Sequence, residues 1–400
     1  MNIGLFTDTY FPQVSGVATS IKTLRDELRA QGHHVYIFTT TDPKVGPEDD
    51  EPGVYRFTSV PFVSFTDRRI AVRGLFKAYK LCKELELDVI HTQTEFSLGW
   101  MGKVTARSLK IPCIHTYHTM YQDYLHYIAN GRILKPRNVK QMANVFMMNM
   151  AGIVCPSERV RSTLTGYGIK VPMRVIPTGV NLDRYSVQRD EAQIKTMRES
   201  LGYNSDTPVL LSLSRLAFEK NIHELIEALP DILESEPKAQ LLIVGDGPAR
   251  ETLEKQANQL GLADHVTFTG EINNNDVQKY YQLANVFVSA SDSESQGLTY
   301  IEALASGLPI VVMKSPYTLE LIDDPAIGVN FETKAQLVAS VLEYCGVDFT
   351  PEDNDKRSAK LEEISAHTFG SRVIQFYKDS EIEYAQSARE PINLFKGPRG

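Results

Sequence analysis

Two glutamates, Glu294 and Glu302, lie eight residues apart where a short apolar strand passes through a polar loop into a helix. The exposed N–H groups at the start of that helix, those of Gly297, Leu298 and Thr299, form an anion site. A carboxylate in the first turns can reach vicinal hydroxyls such as those of a ribose, and the loop carboxylate can meet a sugar bound beside the phosphate. Both glutamates could instead only favour the helix dipole, and this segment alone leaves that alternative open.

Two cations, Arg215 and Lys220, follow the end of another apolar run and precede a helix. An arginine can fork onto two phosphate oxygens while a lysine supplies a compact charge, so the pair could clamp a diphosphate from two sides. A solvated pair of loop charges is the alternative. Gly245 opens a Gly-Asp-Gly-Pro turn at the end of the following strand, where the backbone can bend sharply.

The segment Thr7–Val17 follows the first strand and opens the first helix. Gly16 permits close approach of a ligand to the backbone, and the first N–H groups of the helix, at Gly16 and Val17, attract an anion. The glycines do not have the Gly-x-Gly-x-x-Gly spacing, so the dinucleotide-binding fingerprint is absent. A simple strand-to-helix turn is the alternative here.

The elements that would carry these residues alternate between short strands and amphipathic helices, which indicates parallel sheets covered by helices on both faces. The pattern breaks at about 177–206 and then begins again, so we predict two successive doubly wound, Rossmann-like α/β units that face each other across a cleft, with ligands at the carboxyl ends of the strands. We expect domains at 1–180 and 181–368, and a final helix at about 369–390 that packs back on the first domain. The predicted strands of the second series are Val209–Leu213, Gln240–Val244, Val266–Thr269, Val286–Ser289 and Pro309–Val312.

The 400 residues carry a net charge of −8 and four cysteines that lie far apart in the sequence. Generic nucleic-acid binding does not fit this acidic balance, and the cysteines are expected to be small buried hydrophobes in a reducing cytosol. The N-terminus lacks the pattern of a secretory signal, and no apolar run is long enough to span a bilayer. We therefore expect a cytoplasmic protein.

The segment from Tyr55 to Lys140 is basic although the whole chain is acidic, with 14 Lys and Arg residues against 6 Asp and Glu residues. Four of its basic residues recur at three- or four-residue spacing and are predicted to share one face of a helix: Arg69, Arg73, Lys77 and Lys80. A basic amphipathic helix with aromatic neighbours suits an anionic membrane surface. An ordinary solvated helix face is the alternative. A second basic cluster lies at 132–140.

The chain resembles retaining GT-B glycosyltransferases of family 4 in four features taken together. These are the two-unit layout, the loop that contains Gly16, the cations Arg215 and Lys220, and the Glu-x7-Glu motif of Glu294 and Glu302. The resemblance runs from Met1 to about Tyr384. Within that family, Glu-Ser-Gln-Gly-Leu-Thr-Tyr-Ile-Glu at 294–302 and Thr-Tyr-His-Thr-Met-Tyr at 116–121 are similar to bacterial diacylglycerol glucosyltransferases. Gln296 stands where many relatives have Phe, which favours this subgroup.

The resemblance implies a nucleotide-sugar donor, UDP-glucose, bound mainly by the second domain. It implies that Arg215 and Lys220 hold the diphosphate and offset the charge on the departing UDP. Glu302 would take the ribose hydroxyls and Glu294 the donor sugar. Such enzymes are similar in needing no metal or other cofactor, because the cations supply the electrostatic stabilisation.

The resemblance also places the functional histidine at His118, beyond the carboxyl end of a first-domain strand and in contact with the sugar. His115 is expected to be a hydrogen-bonded structural histidine. The acceptor would be diacylglycerol, with the enzyme attached peripherally to the inner face of the cell membrane. The remaining donor contacts that we expect come from backbone groups of Gly16, Val17, Gly245, Gly297, Leu298 and Thr299.

Several alternatives stay open at this point. The same chemistry could use a soluble sugar or a polyprenyl-linked glycan as the acceptor. A non-hydrolysing nucleotide-sugar epimerase would share the two-domain architecture but transfer nothing. A nicotinamide dehydrogenase is less favoured because the dinucleotide fingerprint is missing. The identity of the hexose and the oligomeric state are not determined by the sequence.

Overall fold

The computed structural model describes residues 1–13, 15–46, 51–62, 65–120, 136–185, 190–273, 276–292, 294 and 297–389. The chain forms two compact units. One consists of Met1–Gly179 together with the chain from His367 onward, and the other is Val180–Ala366. Each unit contains one parallel β-sheet with helices on both faces, which confirms the predicted pair of doubly wound α/β units.

The strands of the first unit are β1 (Asn2–Phe6), β2 (His34–Thr40), β3 (Val54–Phe57), β4 (Ser59–Phe62), β5 (Phe65–Ala71), β6 (Val89–Thr92), β7 (Cys113–Thr116), β8 (Gly152–Cys155) and β9 (Met173–Val175). Seven of them form a parallel sheet in the spatial order β3-β2-β1-β6-β7-β8-β9. The direction of winding reverses between β1 and β6. In such sheets, ligands bind outside the carboxyl ends of the strands at this reversal.

The helices of the first unit that precede the chain's crossing to the second are α1 (Gly16–Ala30), α2 (Leu75–Glu84), α3 (Ser97–Leu109), α4 (Pro136–Met147) and α5 (Glu158–Gly166). The sheet is buried on both faces: Ile3 and Leu5 pack towards α1, whereas Phe6 and Ile90 pack towards α2, α3 and α4. Near-continuous apolar strands are what a parallel sheet covered on both faces requires. Three cysteines are buried without a disulfide, and burial raises the pKa of each thiol to about 12: Cys82, Cys113 and Cys155.

The predicted basic helix is wrong in its first half. Arg69 lies in β5, which pairs antiparallel with β4, and its guanidinium donates to the hydroxyl and the carbonyl of Ser59 at 2.8 Å each. Arg73 lies in the connection that follows, and α2 begins only after Gly74, whose φ of +125° is incompatible with a continuous helix. Only Lys77 and Lys80 of the four predicted residues therefore share a helix.

The second unit contains β10 (Val209–Leu213), β11 (Gln240–Val244), β12 (Val266–Phe268), β13 (Val286–Ser289), β14 (Ile310–Met313) and β15 (Gly328–Phe331). All pair in parallel in the order β12-β11-β10-β13-β14-β15, so the winding reverses between β10 and β13. Its helices are α6 (Leu182–Tyr185), α7 (Glu191–Ser200), α8 (Ile222–Ser235), α9 (Arg250–Gln259), α10 (Val277–Leu283), α11 (Leu298–Ala305), α12 (Pro316–Leu321), α13 (Lys334–Tyr344) and α14 (Pro351–Glu363).

The last helix, α15 (Ala366–Arg389), returns to the first unit, as the sequence predicted. Val373 and Tyr377 of this helix are fully buried against the face of the first sheet that α1 also covers. The Tyr377 hydroxyl lies 2.6 Å from Nδ1 of His91 in β6, which places a polar link inside that apolar layer. Among the helices that the structure describes, none is both long and apolar enough to cross a membrane.

Candidate active site

Lys220 and Glu294 form an ion pair at the point where the second sheet reverses its winding. Lys220 ends a short 3-10 turn after β10, and Glu294 lies in the loop after β13, so adjacent parallel strands bring together residues that are 74 positions apart. The Lys220 ammonium donates to Oε1 of Glu294 at 2.5 Å. Both side chains are more than four-fifths buried, with 16% and 18% of their surface exposed. Burial reduces solvent screening, which strengthens the attraction between the two charges.

Asn221 fixes the loop that carries Lys220. Its backbone lies in the left-handed region, with φ +50° and ψ +30°, a conformation that asparagine tolerates better than most residues. Its side-chain amide donates to the carbonyl of Ala290 at 3.2 Å, which ties the β10 loop to the end of β13. The ion pair is thereby held between two anchored loops. Asn221 was not among the predicted site residues, although its position directly after the lysine and before a helix was a signal.

Arg215 lies in the same loop, with an exposed side chain that makes no ion pair with any residue in the described part of the chain. The backbone around it is fixed: Leu216 donates to the carbonyl of Asp246 at 2.9 Å, and Ala249 donates to the carbonyl of Leu216 at 2.9 Å. An exposed guanidinium on a fixed backbone is able to meet an incoming anion at little cost in backbone ordering.

Gly245 allows the β11 loop to approach the β10 loop closely. Its φ is +131°, and a Cβ at this position would lie 2.0 Å from the carbonyl oxygen of Ser214. The N–H of Gly245 donates to the carbonyl of Gly270 at 3.0 Å. The structure therefore shows what the glycine does for packing beside Arg215, while its contact with a donor stays a prediction.

Helix α11 begins shortly after Glu294, with a glycine at its N-cap that makes no side-chain cap. Gly297, at the N-cap, has φ +60° and ψ +62°, and a Cβ there would lie 2.8 Å from the ring of Tyr300. Because glycine has no side chain to cap the helix, it leaves the first N–H groups, at Leu298 and Thr299, without a side-chain acceptor from the cap position. An anion bound at these N–H groups stays a prediction. Gln296 lies outside the described residues.

Glu302 projects from the second turn of α11, and a buried tyrosine positions its carboxylate. The hydroxyl of Tyr281 in α10 donates to Oε2 of Glu302 at 2.9 Å and approaches the carbonyl of Thr299 at 3.3 Å. Tyr281 is fully buried, so it is a rigid support. A carboxylate oriented in this way can accept two hydrogen bonds from the vicinal hydroxyls of a ribose. No local pattern in the sequence pointed to Tyr281.

Two phenols lie beneath the start of α11. The rings of Tyr300 and Tyr317 stack with centroids 6.3 Å apart and an interplanar angle of 28°. The Tyr300 hydroxyl lies 2.9 Å from the hydroxyl of Ser289. Burial raises the pKa of both phenols, and the negative charge of Glu294 raises them further, so both are neutral and neighbour that carboxylate.

In the first unit, α1 begins at Gly16, one residue before the predicted start at about Val17, and follows the loop after β1. Ser15 is its N-cap and accepts a hydrogen bond from the N–H of Ala18 at 3.1 Å. Because this cap satisfies only the third N–H of the helix, those of Gly16 and Val17 remain oriented outward along the helix axis. An anion at this position is still a prediction.

His115 and His118 occupy different environments at the end of β7. His115 is fully buried, with Nδ1 2.9 Å from the carbonyl of Thr92 and Nε2 3.1 Å from Oε1 of Glu95. These contacts fit the structural role predicted for it. His118 lies two residues beyond the strand and is only partly buried. Its Nε2 is 2.7 Å from Oε1 of Gln93.

Burial lowers the pKa of His118 to about 3, and the neighbouring His115 contributes to the same shift. His118 is therefore neutral near pH 7, and its Nε2–H donates to the amide oxygen of Gln93, which leaves Nδ1 unprotonated. Gln93 follows β6 directly and is 2% exposed. Gln93 orients His118. Gln93 was not among the predicted site residues, because nothing in the sequence around it distinguishes it.

A buried carboxylate, Asp8, supports the loop that carries Gln93. It follows β1 and accepts hydrogen bonds from the hydroxyl of Thr94 at 2.7 Å, from the hydroxyl of Ser97 and from the N–H of Leu98 at 3.1 Å. Burial raises the pKa of Asp8, while these donors counteract that shift. Asp8 therefore caps the start of α3 and fixes the β6 loop to the end of β1.

Comparison with known proteins gives consistent matches over most of the chain. Models of two families match: Glycosyl transferases group 1 at residues 193–345 and Glycosyltransferase Family 4 at residues 14–184. The chain is 49% identical over 384 residues to the alpha-monoglucosyldiacylglycerol synthase of Streptococcus pneumoniae, covering 96% of this chain and 86% of the relative. It is 33% identical over 351 residues to the protein of the same name from Acholeplasma laidlawii, covering 86% and 87%.

The fold is also similar to that of a solved structure, Anabaena HepE in complex with UDP and glucose. The TM-score is 0.74 at 17% sequence identity, and the superposition covers 94% of this chain and 99% of that protein. At this level of identity the similarity concerns the fold alone.

Proposed function

This chain belongs to the GT-B glycosyltransferases of family 4, as its motifs predicted, and we propose that it transfers glucose from UDP-glucose to the 3-hydroxyl of 1,2-diacylglycerol with retention of the anomeric configuration. The names of its relatives support the glycolipid product. The observation that carries the proposal is the Lys220–Glu294 ion pair at the carboxyl ends of the strands of the second sheet, just before a helix whose N-cap glycine makes no side-chain cap.

We propose that the donor diphosphate binds where three positive features converge. Lys220 and Arg215 leave the end of β10, and the first N–H groups of α11 lie beyond the end of the adjacent strand β13. The leaving UDP gains negative charge as the glycosidic bond breaks, and fixed cations and N–H dipoles stabilise that charge. In this proposal no metal ion takes part, because the two side chains supply the positive charge that a metal otherwise would.

The two glutamates would then divide the recognition of the donor. Glu302, oriented by Tyr281, would accept hydrogen bonds from the ribose hydroxyls. Glu294 would exchange part of its contact with Lys220 for hydroxyls of the hexose, since it lies beside the proposed diphosphate site. In the first unit, neutral His118 would hydrogen-bond a substrate hydroxyl. Retention would proceed on one face of the sugar through an ion-pair-like transition state, without an enzyme nucleophile.

An apolar and basic surface on the first unit supports a membrane-bound acceptor. Helix α2 begins with exposed Leu75 and Phe76, the latter 79% exposed, beside the exposed ammonium groups of Lys77 and Lys80. Helix α3 adjoins α2, and α4 contacts α3 through the rings of Trp100 and Phe146, whose centroids lie 5.2 Å apart. Further exposed apolar side chains on these two helices are those of Val104, Met142 and Val145, and Met148, directly after α4, is also exposed.

Such a surface suits an anionic bilayer, because aromatic and aliphatic groups enter the interface while lysines meet lipid phosphates. Part of the neighbouring stretch 145–150 packs in the core, since Phe146, Met147 and Met150 are buried. In the second basic cluster, Arg137 and Lys140 are exposed on α4, whereas Arg132 and Lys135 lie outside the described residues. We propose that this surface attaches the protein to the inner face of the cell membrane.

The test is incubation with a panel of labelled UDP-sugars and vesicles that contain diacylglycerol and anionic phospholipid, followed by lipid chromatography. The proposal predicts an α-glucosyl lipid from UDP-glucose and little product from the other sugars. The companion variant is Phe76→Ser, which removes the most exposed apolar group of α2. It should reduce the amount of lipid product. The slow hydrolysis of the donor in solution should be unchanged. Label transferred to a soluble or polyprenyl-linked acceptor, or a UDP-sugar epimerised without any acceptor, would overturn the proposal.

A further inference from the structure

Tyr317 has a buried hydroxyl without a hydrogen-bond partner among the described residues. The side chain is 5% exposed and belongs to α12, which follows the carboxyl end of β14. A buried hydroxyl that makes no hydrogen bond destabilises a fold. A state of the protein in which this hydroxyl gains a hydrogen-bond partner would therefore be stabilised.

The surroundings of Tyr317 indicate which group could satisfy it. Its ring stacks on Tyr300 and touches the N-cap of α11, since a Cβ on Gly297 would lie 3.1 Å from its Cε1. Both phenols neighbour the Glu294 carboxylate, whose charge contributes to their raised pKa values. The Tyr300 hydroxyl is engaged by Ser289 at 2.9 Å, whereas that of Tyr317 is available.

We propose that the Tyr317 hydroxyl is the alternative hydrogen-bond partner of Glu294, used when a nucleoside diphosphate draws Lys220 away from that carboxylate. The inference rests on the proposed function for the diphosphate. A diphosphate carries more negative charge than one carboxylate, so it competes for the Lys220 ammonium and weakens the 2.5 Å ion pair. A phenol O–H then donates a charge-assisted hydrogen bond to Glu294, which stays ionised.

In this account Tyr317 is a positioning residue. In the ligand-free protein, Lys220 fixes Glu294 and the Tyr317 hydroxyl is unsatisfied. In the diphosphate-bound protein, Tyr317 fixes the carboxylate in the loop beside the hexose, and the cost of its unpaired hydroxyl is relieved. Part of the affinity for the diphosphate thus comes from a residue that does not touch it.

The first test needs no ligand, because Lys220→Met imitates the withdrawal of the ammonium. Thermal unfolding is compared for Tyr317→Phe in the unchanged protein and in the Lys220→Met protein. Phenylalanine keeps the ring stack, so the fold is retained. The melting temperature should stay the same or rise in the unchanged protein and fall by about 2–4 °C in the Lys220→Met protein. Equal shifts in the two backgrounds would overturn the inference.

The second test compares UDP with UMP, which lacks the β-phosphate, by calorimetric titration of the full chain. Tyr317→Phe should weaken UDP binding about five- to tenfold and leave the UMP affinity within twofold. Tyr203→Phe is the matched control. Tyr203 is a buried tyrosine that precedes β10, at the amino ends of the strands of the same sheet. This variant should change neither the UDP affinity nor the UMP affinity. Unchanged UDP binding by Tyr317→Phe would refute the inference, as would equal losses for UDP and UMP.

The two tests separate this inference from the proposed function on which it rests. If the unchanged protein binds no UDP, the proposed function fails, and the unfolding comparison still decides whether Tyr317 pairs with Glu294. If UDP binds normally and Tyr317→Phe has no effect, the proposed function stands and only the inference fails.

Discussion

Neutralising Lys220 separates the ion pair that its ammonium group makes in the structure from the role in transfer that the proposed function gives it. Lys220→Met keeps most of the side-chain volume and removes the charge. Glu294 then loses the ion pair at 2.5 Å while it is still mostly buried. The double variant Lys220→Met with Glu294→Gln removes both charges and leaves no uncompensated carboxylate.

The magnitudes follow from burial. Breaking a fully buried ion pair by removing one partner costs about 3–5 kcal/mol. Because these side chains retain 16% and 18% of their exposure, we expect about 2 kcal/mol for the single variant, and recovery of about half of that in the double variant. Loss of one fixed group that stabilises the leaving charge lowers kcat by about 10²–10³. Transfer should therefore stay low in both variants.

The assays are denaturant unfolding and transfer of labelled glucose to diacylglycerol vesicles. Lys238→Met is the matched control, since it removes an exposed lysine from an ion pair with Asp206, at the amino end of β11. The control should leave both stability and transfer close to normal. If the double variant recovers transfer together with stability, Lys220 is only a structural counter-ion, and the reasoning about the diphosphate is refuted.

Three further predictions concern other parts of the molecule. Replacing Lys77 and Lys80 by Ser should weaken binding to anionic vesicles in co-sedimentation by about 30-fold, since each basic residue near the surface contributes about 1 kcal/mol. Unchanged binding would exclude α2 as an attachment site. Gly297→Ala should lower the free energy of unfolding by about 1–2 kcal/mol, because φ at this position is +60° and the new Cβ would meet Tyr300. The same variant should weaken UDP binding in a titration. Normal UDP affinity would contradict the anion site at α11. Burial lowers the pKa of His91 and His118 below the ordinary value of 6.5. Protons therefore bind the unfolded chain first as the pH falls, and the free energy of unfolding should decrease by about 2 kcal/mol between pH 6.5 and 5.5. A flat profile in urea unfolding would refute this.

Much of the fold was predictable because the buried strands of a parallel sheet have near-continuous apolar sequences. The bounds predicted for Val209–Leu213, Gln240–Val244 and Val286–Ser289 are those of β10, β11 and β13. Strands with fewer apolar residues were missed, among them β3, with Tyr55 and Arg56 at its centre, and β15, which begins with glycine. Such short mixed segments form strands because neighbouring strands pair with them, and no local pattern indicates this pairing.

The basic segment shows how spacing alone misleads. Four cations at helical spacing fit one face of a helix, yet the first half of the segment forms an antiparallel hairpin that ends before Gly74. Hairpin formation satisfies the backbone of β4 and β5 and lets Arg69 bond to Ser59. The positive charge of the region is real, but the residues do not form the single surface that the spacing predicted.

In the candidate site, residue types were predictable and their contacts were not. The motifs identified Lys220 and Glu294 separately, because each lies after a predicted strand. That the two side chains meet depends on β10 and β13 being neighbours in the sheet, which is a property of the topology. Tyr281 and Gln93 were missed for the same reason, since each supports a site residue from a different element.

The most direct test of the account is a crystal structure of the protein with UDP. The account predicts the β-phosphate within hydrogen-bond distance of the Lys220 ammonium and the first N–H groups of α11, with the Lys220–Glu294 distance longer than 2.5 Å. UDP bound elsewhere, or bound with its phosphates away from Lys220 and the ion pair unchanged, would contradict it.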